Sequence, residues 1–148
     1  MKEKKIEKEF EELKNIVITS QRARDELEMY QGIPLWKIKN LLTNFKTLYY
    51  LEKSYKDFQT FCIEELGRGS NQTIRAQRVG NYLKEQGVSI SDVKNIPITK
   101  LEILAKNKVR WTDDVYHDVT KLGYNYIKIN YDKKKNTKKD NRPTTSID

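Results

Sequence analysis

The chain has 148 residues, of which 36% are hydrophobic and 34% charged, with 29 Lys and Arg against 21 Asp and Glu for a net charge of +8. That length suits one domain with a modest core, and six Gly and three Pro are too few for the many turns of a β-sandwich or barrel, so the expected fold is all-α. Cys62 is the sole cysteine, which excludes an intrachain disulfide, and no apolar run approaches the ~20 residues of a membrane span, so a cytoplasmic chain without signal peptide or membrane partner is expected.

Residues 1–29 are nearly balanced in charge, whereas the body and residues 127–148 carry the positive excess. A basic body with a basic tail suits a polyanion: double-stranded DNA first, RNA second, an anionic membrane surface third. The plainer reading of the same balance is solubility.

Residues 3–30 read as one helix. Ile6, Phe10, Leu13, Val17, Ser20, Arg24 and Leu27 fall at alternating spacings of four and three, a heptad seam that is apolar at first and polar later. Such a segment, taken as 1–30, either packs on its own domain or dimerises. Gln31-Gly32 reads as a break, with Pro34 opening a second helix to about residue 52. Its face of Leu35, Ile38, Leu42, Phe45 and Tyr49, flanked by Leu41 and Leu48, is the strongest amphipathic stripe in the chain and the predicted centre of the core.

Ser54 and Asp57 resemble a capping box ahead of a short helix with Phe58, Phe61, Cys62 and Leu66 on its apolar face. Gly67-Arg68-Gly69-Ser70 turns the chain, and a further helix runs from about Asn71 to Gln86, stopping at Gly87. Ser89–Asp92 and Thr99–Glu102 resemble capping boxes of short helices, and Thr112 with Asp113 and Asp114 opens another whose stripe is Val115, Val119 and Leu122. Tyr124–Tyr131 is rich in β-formers and reads as one short C-terminal strand or an extended arm. Residues 132–148 read as a disordered basic tail.

Residues 54–86 thus have the layout of a helix-turn-helix within a helical domain at 31–126: a capped helix, a glycine turn, and a second helix free to enter the major groove. Its residue types fit that task. Asn71, Gln72, Gln77 and Asn81 suit adenine, Arg75 and Arg78 suit guanine, and Ser70 and Thr73 can hold a phosphate at the helix start. Arg68 and Lys84 bracket the helix as phosphate contacts.

The run Leu66-Gly67, then Gly69-Ser70-Asn71-Gln72-Thr73-Ile74-Arg75, resembles the turn and early recognition helix of bacterial helix-turn-helix regulators. The wider arrangement over residues 54–106 resembles small helix-turn-helix proteins of plasmids and phages, including the DNA-binding part of ParB-like partition proteins. The aromatic-rich helix with Tyr55, Phe58 and Phe61 and the later Ile96-Pro97-Ile98-Thr99-Lys100-Leu101 carry that wider likeness. The resemblance implies a maintenance (partition or replication) factor or a small transcription regulator, working as a homodimer on double-stranded DNA.

The turn is about one residue longer than the common form, and the phase of the second helix is open. One register buries Ile74 and Gln77. The other groups Ala76, Val79, Tyr82 and Leu83 inward and turns Thr73, Ile74, Gln77, Arg78, Asn81 and Lys84 outward. Four apolar residues favour the second register, which ranks Arg78, Gln77, Asn81 and Thr73 above Arg75 as DNA contacts.

No other chemistry assembles. His117 with Asp113, Asp114 and Asp118 offers too few ligands on one helix for zinc. Cys62 sits among Phe58, Phe61 and Leu66 as a small core residue, and no nucleophile, base and oxyanion site come together, so no enzyme, metal, cofactor or small-molecule substrate is expected. Two other classes remain: a helical protein–protein adaptor with a basic surface, and an RNA or single-strand binder using Tyr124, Tyr126 and Tyr131 beside Lys128 and Lys133.

Overall fold

A computed structural model describes residues 2–44, 55 and 57–132. Within them the fold is all-α, with seven α-helices and no strand. In chain order they are α1 (Lys2–Asn44), α2 (Phe58–Phe61), α3 (Ile74–Gln86), α4 (Ile90–Val93), α5 (Ile98–Lys106), α6 (Asp113–Lys121) and α7 (Tyr124–Tyr131). A π-helical turn, Cys62–Leu66, extends α2, and a 3-10 turn, Ser70–Thr73, leads into α3.

The predicted break at Gln31-Gly32 is absent, and α1 runs straight through it and through Pro34. The reason lies in tertiary packing. The most extensive helix contact in the fold is α1 on α3, and its crossing point is Gly32 against Gly80. A methyl group on Gly32 would stand 2.1 Å from the Ala76 carbonyl oxygen and 3.0 Å from the Gly80 Cα. Gly32 is therefore a packing glycine, not a helix stop, and the contact it permits offsets the hydrogen bond that Pro34 cannot make.

This crossing makes α3, not the predicted helix at 34–52, the centre of the core. Val79, Tyr82 and Leu83 of α3 join Met29, Leu101 and Leu104 in the main cluster, closed by Val115, Val119 and Ile127. Leu35 and Leu42 belong to a smaller cluster with Phe58, Cys62 and Ala76. Phe45, Leu48 and Tyr49 lie outside the described residues, as does the 133–148 part of the predicted tail.

Helix ends are set partly by local residues and partly at a distance. Asp57, not Ser54 (outside the described residues), is the N-cap of α2, accepting the Thr60 N–H at 2.8 Å. Gly67 and Gly87 close the π turn and α3 with positive φ, a conformation glycine adopts without strain. Thr112 caps α6 as expected, accepting the Val115 N–H at 3.2 Å. The cap of α5 is not Thr99: the helix starts at Ile98 after Pro97, and its first N–H donates to the buried Asp25 carboxylate of α1 at 3.0 Å. A carboxylate there also answers the helix dipole. At the far end of α6, the Lys100 ammonium donates to the carbonyls of Val119 and Leu122 at 3.1 and 2.6 Å.

The expected C-terminal strand is a helix. Gly123 precedes α7, Ile127 is fully buried, and the Tyr131 hydroxyl donates to Asp118 of α6 at 2.6 Å. Docking of one face on α5 and α6 outweighs the β-propensity of the tyrosines.

Candidate nucleic-acid interface

The candidate site is α3 with the turn before it. Its bracing starts at α2, whose Phe58 is buried with Cys62 of the π turn against Leu35 and Ala76. Burial pushes the Cys62 thiol up from its ordinary range, as befits a core sulfur. The Gln59 side chain accepts the Ser70 N–H at 2.7 Å, and Arg68 donates to Gln31 of α1 at 2.7 Å. The turn is thereby tied to both neighbouring helices.

The inward face of α3 carries Ala76, Val79, Tyr82 and Leu83, as the preferred register requires. Ile74 is 40% exposed, also as that register requires. Two polar residues depart from it. Thr73 is fully buried and Gln77 is 8% exposed, so neither points outward. They satisfy each other: the Gln77 amide donates to the Thr73 hydroxyl at 2.8 Å, which donates to the Ser70 carbonyl at 2.7 Å. Burial extends around α3 because α1 approaches on the Gly80 side while α5 packs elsewhere on the helix. A helix covered on two sides has a wider buried sector than the single stripe the sequence suggests.

What remains outward is a narrow ridge. Asn71, Ile74, Arg78 and Asn81 follow one another at spacings of three and four, with Gln72 and Arg75 beside them and Lys84 further around the helix. Asn71, Gln72 and Lys84 are exposed, and Arg75, Arg78 and Asn81 are half-exposed. Both arginines are held by acids that the sequence reading missed. Arg75 grips Glu28 of α1 through two bonds of 2.7 Å, and Arg78 donates to Glu102 of α5 at 2.8 Å. Hydrogen bonding to Glu28 lifts the already high pKa of Arg75. Glu28 is 47 residues from its partner and Glu102 is 24. No local pattern announces either, and Glu102 instead reads as part of a cap.

The guanidiniums keep spare donors. Arg75 uses Nε and Nη2, and Arg78 uses Nη1, so the acids fix the planes of the two groups while other N–H bonds remain on the ridge side chains. Ile63, Glu64 and Glu65 are exposed on the π turn, so cationic side chains come from the glycine turn and α3, not from the preceding segment. Tyr124 and Tyr126 are 43% and 45% exposed on α7, a helical face and not the extended arm that would thread between unpaired bases.

Among the described residues no group of three or more His, Cys, Asp or Glu side chains could hold a metal ion, and no helix is long and apolar enough to cross a membrane. No family model matches the chain, and no curated protein or solved structure matches it.

Proposed function

We propose that this protein binds double-stranded DNA, with α3 as the recognition helix of a helix-turn-helix, and serves in the cytoplasm as a plasmid or phage maintenance factor or small transcription regulator. The observation that carries the reading is the ridge of Asn71, Gln72, Arg75, Arg78 and Asn81 on a helix braced from both sides, with no acid on the ridge before Glu85. Amide and guanidinium groups are the types that pair with base edges in the major groove. Thr73 and Gln77 are assigned to holding the helix start, not to contact. Arg68 and Lys84 take phosphates, and the basic residues after Asp132 add further neutralisation.

A single short helix reads few base pairs, so specific binding calls for two copies on two half-sites. The test is an electrophoretic shift of the full chain on duplex DNA over a salt series. Affinity falls steeply with salt and is greater for duplex than for single strands. Equal binding of both forms, or none at low salt, overturns the reading.

One observation favours the adaptor class instead: each arginine on the ridge already has a carboxylate partner, which lowers its net attraction for phosphate. Under that reading duplex DNA fails to shift while Arg75 and Arg78 variants lose only stability.

A further inference from the structure

The first turns of α1 stand apart from the rest of the molecule. Residues 2–21 are exposed without exception, and the first buried side chain of the helix is Asp25. At 1.5 Å per residue this is a projection of roughly 25–30 Å. Its seam is open to solvent: Ile6 is 63%, Phe10 61%, Leu13 56% and Val17 66% exposed, with Ile16 beside them at 63%. A solitary helix of this length without tertiary contacts is marginal in water, so a partner along the seam is what would hold it.

The charge pattern names the partner. Residues 2–20 carry five lysines and five glutamates, a balance that suits neither a polyanion nor an anionic membrane surface. In the heptad set by the seam, Glu3 at the open end and then Phe10 and Val17 occupy a, Ile6 and Leu13 occupy d, Lys2 and Glu9 occupy g, and Glu7 and Lys14 occupy e. When two copies lie parallel and in register, each g faces the following e of the other chain. Lys2 then meets Glu7 of the second copy and Glu9 meets Lys14 of the second copy, and the symmetry doubles both pairs. An antiparallel arrangement offers only Glu7 against Lys14. The intrahelical contact of Lys14 with Glu11, long at 3.7 Å and exposed to solvent, is too weak to compete.

We propose that residues 2–20 form a parallel two-stranded coiled coil with a second copy of this chain. The seam ends where it must: Ser20 takes the next d position and Arg24 the next a, so two arginines would face each other and the helices part there. Both domains then hang side by side at the same end of the stalk. The inference stands without the DNA reading, and its test contains no nucleic acid.

Sedimentation equilibrium of the full chain across a wide concentration range is expected to show a monomer–dimer system built from the 17.6 kDa protomer. Phe10→Glu/Leu13→Glu is expected to stay monomeric throughout while its domain melts at the wild-type temperature, since neither residue touches the core. Lys14→Glu alone is expected to weaken the dimer, and adding Glu9→Lys to restore it. A wild type that is monomeric at every concentration, or a dimer indifferent to the Phe10/Leu13 change, overturns the proposal. Rescue of Lys14→Glu by Glu7→Lys instead of Glu9→Lys overturns the parallel orientation.

Discussion

At the crossing of α1 and α3 two glycines let the backbones meet at a separation no other residue permits. A methyl group on Gly32 meets backbone atoms, including the Ala76 carbonyl oxygen at 2.1 Å, and backbone cannot swing aside as a side chain can. Gly32→Ala is therefore expected to destabilise the fold by about 3 kcal/mol or more, despite the better helix propensity of alanine, as read by urea denaturation. A neutral or stabilising change would mean that the crossing is looser than described. Asp25 makes a parallel case. It is 3% exposed and receives the Ile98 N–H as well as bonds from Gln21 and Arg22. Asp25→Ala leaves that helix-start donor buried without a partner and is expected to cost about 2–3 kcal/mol in the same measurement. Neither role was legible from sequence. A glycine two residues ahead of a proline reads as a stop, and an aspartate 73 residues from its partner reads as surface charge. Both meanings arise only once another helix arrives.

The elements themselves were more legible where their signals are local. The stop at Gly87, the cap at Thr112 and the inward set of Ala76, Val79, Tyr82 and Leu83 all follow from neighbouring residues. The register of α3 was readable in its apolar half and misleading in its polar half, because Thr73 and Gln77 bury as a mutually satisfied pair. Helix α7 shows the converse, a β-prone run made helical by docking. Two of the tyrosines anchoring these helices leave a measurable trace. Burial pushes Tyr82, whose hydroxyl donates to the Val109 carbonyl, up to about 12, and burial with the Asp118 hydrogen bond does the same for Tyr131. A phenol with a raised folded-state pKa favours the native state fully below its ordinary value near 10 and loses that contribution as pH rises through about 12. Melting temperature is thus expected to fall between pH 10 and pH 12, and Tyr82→Phe to flatten the fall. An unchanged slope in that variant would place the alkaline transition elsewhere. The Arg78–Glu102 pair belongs to the same scale. If its acid only orients the guanidinium, Glu102→Gln keeps an acceptor in place and removes a charge that repels phosphate. Duplex affinity is then expected to rise a few-fold, and a fall would mark the pair as structural alone.

For the whole molecule, composition and periodicity suffice for an all-α chain with a helical body, since a scarcity of glycine and proline and a 3.6-residue rhythm are properties of the chain itself. Which helix sits at the centre is not such a property. The strongest amphipathic stripe, Leu35 to Leu42, lines the smaller cluster, while the less regular α3 fills the middle because it is gripped from two directions. The candidate site inherits this: its ridge is what α1 and α5 leave uncovered. The decisive measurement is a fluorescence-anisotropy titration of labelled duplex DNA with wild type, Asn71→Ala/Arg78→Ala and Gln77→Ala, each checked for folding by its melting curve. The account predicts that the ridge variant loses at least tenfold in affinity while folded, and that Gln77→Ala lowers the melting temperature with little change in affinity. Full affinity in the ridge variant, with loss only in Gln77→Ala, would contradict it.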